Sequence, residues 1–117
     1  AVHEGPQGIS KKNQITLKPG MLLSNEPGFY KGGEFGIRLE NVILITKPII
    51  PDGGDRPMLS TETLTLVPFD KNLINIDLLN AEEKAWINQY HHRVEKLIKP
   101  FVSKRVADWL NRKCIQI

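Results

Sequence analysis

Gly36-Ile37-Arg38-Leu39-Glu40-Asn41-Val42-Ile43-Leu44-Ile45 is the stretch whose reading decides the fold. The two-residue period of a strand puts Ile37, Leu39, Asn41, Ile43 and Ile45 on one face, and Arg38, Glu40, Val42 and Leu44 on the other. Both faces are largely apolar, so the pattern predicts one long strand from Ile37 to Ile45, buried on both sides. Arg38 and Glu40 then point the same way out of a sheet. A carboxylate in such a place needs an ionic partner or a cation. An Arg38–Glu40 ion pair and a metal ion satisfy that need equally well.

Upstream, Lys18-Pro19-Gly20 is a turn signal that feeds a short apolar run, Met21-Leu22-Leu23. The run enters Ser24-Asn25-Glu26-Pro27-Gly28-Phe29-Tyr30, where proline and glycine break the strand. Glu26 is thereby pinned at a strand end, and from position alone it reads as a surface turn residue. Gly32-Gly33-Glu34 forms a hairpin tip before the deciding stretch. A third piece, Val2-His3-Glu4-Gly5-Pro6, opens the chain. An imidazole such as His3 titrates near neutrality and can donate to a developing oxyanion. Two carboxylates with a histidine nearby suggest a hydrolytic site for hard cations: Mn²⁺, Mg²⁺, Ca²⁺ or, with histidine, Zn²⁺. Two such cations can activate a shared water and clamp the oxyanion.

Downstream, residues 48–57 read as a loop and Glu62 to Val67 as a strand ended by Pro68. The character then changes to helix. Asn80 with Glu83 three positions on is a capping-box pattern. Trp86, Ile87, Tyr90, Val94, Leu97 and Ile98 make one apolar stripe, and Pro100 stops it. Ser103 can cap a second helix with Val106, Trp109 and Leu110 inward. His91 and His92 read as surface residues, because no acidic or cysteine partner stands at ligand spacing.

The chain of 117 residues, 40% hydrophobic and 25% charged, has the composition of a soluble globular protein of one domain or slightly less. A net charge of +3 without a basic run interleaved with aromatics excludes a nucleic-acid binder. No stretch approaches the ~18 apolar residues of a membrane helix, so no membrane partner is expected. The single cysteine, Cys114, excludes an intrachain disulfide and reads as a small apolar residue of a terminal helix. With no signal peptide before the first motif, a cytoplasmic location is expected. Neither a phosphate-cradling glycine loop nor a Gly-x-Ser-x-Gly elbow occurs.

Taken in order, Val2-His3-Glu4-Gly5-Pro6, Leu17-Lys18-Pro19-Gly20-Met21, Asn25-Glu26-Pro27-Gly28-Phe29-Tyr30 and Gly36-Ile37-Arg38-Leu39-Glu40-Asn41-Val42 resemble the Xaa-Pro aminopeptidases (aminopeptidase P). These are metallopeptidases of family M24 with the pita-bread fold. Thr61 to Pro68, Leu78-Leu79, Glu82, Trp86, Tyr90-His91 and Trp109-Leu110 look like the helical extension of their larger members. The resemblance implies an α+β fold: the C-terminal portion of a pita-bread domain, a curved, mostly antiparallel sheet over residues 1–68, then a helical extension with two helices over residues 69–117. It implies two divalent metal ions, manganese first with zinc or cobalt as alternatives. Glu26 and Glu40 match the metal-binding glutamates, and Glu26 also matches the group that takes the proton from the bridging water. His3 matches a catalytic histidine that contacts substrate. Arg38 and Tyr30 match supporting residues. The implied reaction removes an N-terminal residue that precedes proline, by attack of a metal-bound hydroxide, so the partner is a peptide with proline second.

Three of the family's five metal ligands have no counterpart here. The chain alone is therefore expected to bind no metal stably and to be inactive. A homodimer through the C-terminal region, or association with a missing N-terminal part, is expected to cover its exposed apolar surface. A non-catalytic peptide-binding or dimerisation module is the alternative.

Overall fold

The computed structural model describes residues 5–117. The chain divides into two compact units, the first running to Thr65 and the second spanning Leu66–Ile117.

The first unit is built from two small antiparallel sheets. Strands β1 (Leu22–Asn25), β4 (Asn41–Ile45) and β5 (Thr61–Thr63) form one sheet in the order β1-β4-β5, and β2 (Gly28–Lys31) pairs with β3 (Phe35–Arg38) in the other. The predicted long strand is thus two strands, interrupted at Leu39 and Glu40. The cause lies across the ladder. Pro27 has no N–H to donate and breaks the partner strand between β1 and β2. Asn41 pairs with Asn25 on one side of the break, and Arg38 pairs with Gly28 on the other. Between them only one bond crosses, from the Leu39 N–H to the Pro27 carbonyl at 3.1 Å.

The expectation of burial on both faces also needs correction. Asn41, Ile43 and Ile45 are buried, while Val42 is 40% exposed and Leu44 half-buried. Leu23, Ile43 and Ile45 make the core of this sheet, with Leu17 and Met21 packed on it. The core covers one face only, and the alternation is that of a half-solvated antiparallel sheet. The strand predicted from Glu62 to Val67 shrinks to Thr61–Thr63, because past Leu64 no further backbone pairing to β4 follows the Leu64 N–H to Val42 carbonyl bond. The 48–57 loop folds back on itself through an antiparallel bridge between Ile49 and Met58.

The second unit is helical. Helix α1 (Ala81–Ile98) starts at Asn80, where both halves of the predicted capping box are present. The Asn80 side chain accepts from the Glu83 N–H at 2.9 Å, and Glu83 accepts from the Asn80 N–H at 2.9 Å. A 3₁₀ turn over Lys99–Phe101 carries Pro100, which cannot extend the helix, and α2 (Lys104–Lys113) follows. Ser103 holds the N-cap position of α2 without a side-chain capping bond. Tyr90, Val94, Leu110 and Cys114 form the core, with Leu66, Phe69 and Ile98 against it. Of the three residues expected inward on α2, only Leu110 is buried; Val106 and Trp109 are exposed.

His91 overturns its reading as a surface residue: it is wholly buried, while His92 is exposed. Its Nε2 accepts the Phe69 N–H at 3.1 Å, so the ring proton sits on Nδ1, which is buried without a hydrogen-bond partner. Protonation would turn Nε2 into a donor facing a donor. Burial first, and the Lys71 charge second, hold the His91 pKa below its usual value. The unfolded chain therefore binds the proton more readily than the folded one, and the stabilising neutral state is fully present above about pH 6.5. Stability is expected to fall as pH drops below that value. Thermal unfolding at pH 7.5 and 5.5 measures the loss, and His91→Gln, an acceptor that does not titrate, is expected to flatten the dependence.

Candidate functional site

Glu26 and Glu40 are brought together by the register of β1 and β4. Asn25 faces Asn41, so Glu26, one step past β1, stands beside Glu40, one step before β4. Ser24 faces Val42 in the same ladder. Ser24, Glu26, Glu40 and Val42 line one open cleft of about 710 Å³, with Leu22 and the loop Gln7-Gly8-Ile9-Ser10 among its other walls. Gln7 ties that loop to β1 by donating from Nε2 to the Leu22 carbonyl at 3.2 Å.

Arg38 bridges the two acids. Its Nη1 donates to Glu26 Oε2 at 2.5 Å, and its Nε lies 3.9 Å from Glu40 Oε2. The Arg38–Glu40 pair anticipated from the sequence thus exists, and the closer partner is Glu26. The other Glu26 oxygen, Oε1, accepts from the Ser24 hydroxyl at 2.7 Å. Glu26 is the more sheltered acid, with 27% of its side chain exposed against 48% for Glu40. The hydrogen bond to Glu26, followed by the influence of Tyr30 and Glu40, raises the Arg38 pKa further above its already high value. The guanidinium is a permanent cation.

Glycine permits this arrangement. A Cβ on Gly28 would stand 2.8 Å from Arg38 Cγ and 3.0 Å from the Ile37 carbonyl, so only glycine lets the arginine stem cross β2. A Cβ on Gly36 would stand 2.7 Å from the Tyr30 ring, which lies across that residue from the facing position of the hairpin.

The remaining predicted site residue, His3, lies outside the described residues. Among the described residues no group of three or more His, Cys, Asp or Glu side chains could hold a metal ion. Glu26 and Glu40 bring two carboxylates to the cleft, which is part of such a group. Carboxylate oxygens are the ligands of hard divalent cations. An ionised carboxylate offers about four acceptor sites, so one carboxylate accommodates a serine, an arginine and a cation together. Ser24 is a partner of Glu26 that the motif by itself does not reveal. The available signal was its spacing, since residues two apart in extended chain share a face. Cys114 is buried, and burial, with Glu95 adding, pushes its thiol pKa up, which keeps it an inert core residue.

Comparison with known proteins gives the class. Residues 57–117 match the profile of the C-terminal region of peptidase M24, and residues 1–47 match metallopeptidase family M24. The chain belongs to the M24 metallopeptidases. Among curated relatives, a probable Xaa-Pro aminopeptidase P of Laccaria bicolor is 41% identical over 97% of this chain and 18% of its own length. A protein of the same name from Colletotrichum graminicola is 50% identical over 96% of this chain and 19% of its own. The crystal structure of the Caenorhabditis elegans X-prolyl aminopeptidase, described as a cytosolic enzyme with a di-nuclear active site, superposes with a TM-score of 0.82 at 36% identity. That match covers 99% of this chain and 19% of the other. The chain thus has the α+β architecture of the C-terminal part of a pita-bread aminopeptidase, and spans about a fifth of the length of the relatives it matches.

Proposed function

We propose that this chain supplies part of the dimetal site of an Xaa-Pro aminopeptidase, which removes an N-terminal residue preceding proline. The observation that carries the reading is the convergence of Glu26 and Glu40 on one cleft, joined by Arg38. In this reading Glu26 and Glu40 are metal ligands. Glu26 also takes the proton of the attacking water, while Arg38 and Tyr30 hold the acids in place and His3 contacts the substrate. The metals, when bound, supply an activated water and stabilise the oxyanion. Manganese is the proposed ion, since an oxygen-rich set suits it. Residues 1–68 form the catalytic portion and residues 69–117 the helical extension. A cytosolic location is proposed by analogy with the Caenorhabditis elegans enzyme. Exposed Val106 and Trp109 are consistent with a homodimer formed through the helical extension.

A divalent ion of this kind takes six or more ligands or needs octahedral geometry, which two carboxylates do not complete. The chain by itself is therefore proposed to be inactive. The test measures Mn²⁺ binding and cleavage of an Xaa-Pro peptide by this chain, then by the chain together with the N-terminal remainder of an aminopeptidase P. Activity that arises only in the combination supports the reading. Metal-independent tight peptide binding by the chain alone would replace it with a non-catalytic binding module.

A further inference from the structure

We propose that Ser24 is the positioning residue of Glu26: its hydroxyl holds the carboxylate in the orientation that receives the metal. The inference rests on the dimetal reading given above.

The two side chains differ in freedom. Ser24 lies inside β1, facing Val42 in a continuous ladder with β4. Its neighbours Leu23 and Asn25 pair with Ile43 and Asn41 in that ladder, and its own side chain is half-buried. Glu26 lies outside the strand, at the point where Pro27 ends the pairing. A glutamate side chain has three rotatable torsions, against one that places the serine oxygen. Among the bonds that restrain its carboxylate, two grip opposite oxygens: Ser24 Oγ donates to Oε1 at 2.7 Å and Arg38 Nη1 to Oε2.

The two restraints are not equivalent. Arg38 is a long, half-exposed side chain that also reaches toward Glu40, so it holds the acids relative to one another. Ser24 has a single torsion on a strand backbone, so it holds Glu26 relative to the sheet. The hydroxyl donates to the carboxylate at the cleft that both residues line. Outer groups of this kind, hydrogen-bonded to a ligating carboxylate, set its orientation, and their loss typically lowers metal affinity about 10–100-fold.

The test uses the intact aminopeptidase carrying this chain, stripped of metal. Ser24→Thr keeps the hydroxyl; Ser24→Val has the same shape without it. Each is titrated with Mn²⁺ by calorimetry, alongside Glu26→Gln and the parent protein, and thermal unfolding of the metal-free proteins reports folding. The expected result is Mn²⁺ affinity weakened about 10–100-fold in Ser24→Val and close to the parent in Ser24→Thr, with kcat following the same order. If Ser24→Val binds Mn²⁺ like the parent, or Ser24→Thr is as weak as Ser24→Val, the role assigned to the hydroxyl is wrong, while a metal-binding loss in Glu26→Gln still upholds the dimetal reading. If Glu26→Gln binds and cleaves like the parent, the dimetal reading itself fails and this inference with it. Should Ser24→Val not fold, Ser24→Ala takes its place under the same criteria.

Discussion

Glu40→Gln in the intact aminopeptidase is expected to reduce kcat/KM for an Xaa-Pro peptide by about 10³-fold or more. Glu40 is a proposed metal ligand, and the amide keeps its shape while removing its charge. A metal acting on a carbonyl oxygen contributes several kcal/mol to the transition state. Each ~1.4 kcal/mol lost there is tenfold in rate. The fold has little reason to respond. Glu40 is about half exposed, and its ion pair with Arg38 is long, at 3.9 Å. Exposed pairs of that sort are worth roughly 0–1 kcal/mol. Activity should therefore collapse while the melting temperature stays near that of the parent. Turnover within tenfold of the parent would remove Glu40 from the site, and an equal collapse of stability would make its role structural.

Leu110→Ala is the substitution expected to cost the second unit most. Leu110 is 3% exposed and is the one residue that α2 itself buries in the core with Tyr90, Val94 and Cys114. Truncating a buried leucine loses its transfer free energy and leaves a cavity, for about 2–5 kcal/mol. A small domain has only about 5–15 kcal/mol of stability in total. Chemical denaturation followed by tryptophan fluorescence measures the change, since Trp86 and Trp109 both lie in this unit. The same truncation at exposed Val106 should cost less than about 0.5 kcal/mol, the usual range for surface positions. A comparable loss at both positions would mean that α2 packs through its outer face as well.

Part of the candidate site's geometry was legible because it is local. Glu26 is fixed at a strand end by the Pro27-Gly28 pair that follows it, and Arg38 lies two residues from Glu40. What sequence reading misjudged was the strand itself. Nothing between Ile37 and Ile45 forbids a single strand; the interruption comes from Pro27, which is read only once the register is known. The same holds for Arg38, whose nearer partner turned out to be Glu26, twelve residues earlier. The Asn80 capping box and the Pro100 stop were legible because each acts within a few residues of itself.

The amino-acid order alone determined where α1 starts and stops, and the resemblance of its motifs pointed to the metallopeptidases. The helix limits follow from short-range spacing, which a linear text preserves. Only the tertiary structure decided that Ser24 and Arg38 grip opposite oxygens of Glu26, and that His91 is buried and accepts a backbone N–H. The acceptor role of His91 depends on the Phe69 N–H, 22 residues away. Burial and hydrogen bonding are properties of neighbours in space, and neighbours in space arise only when distant segments meet.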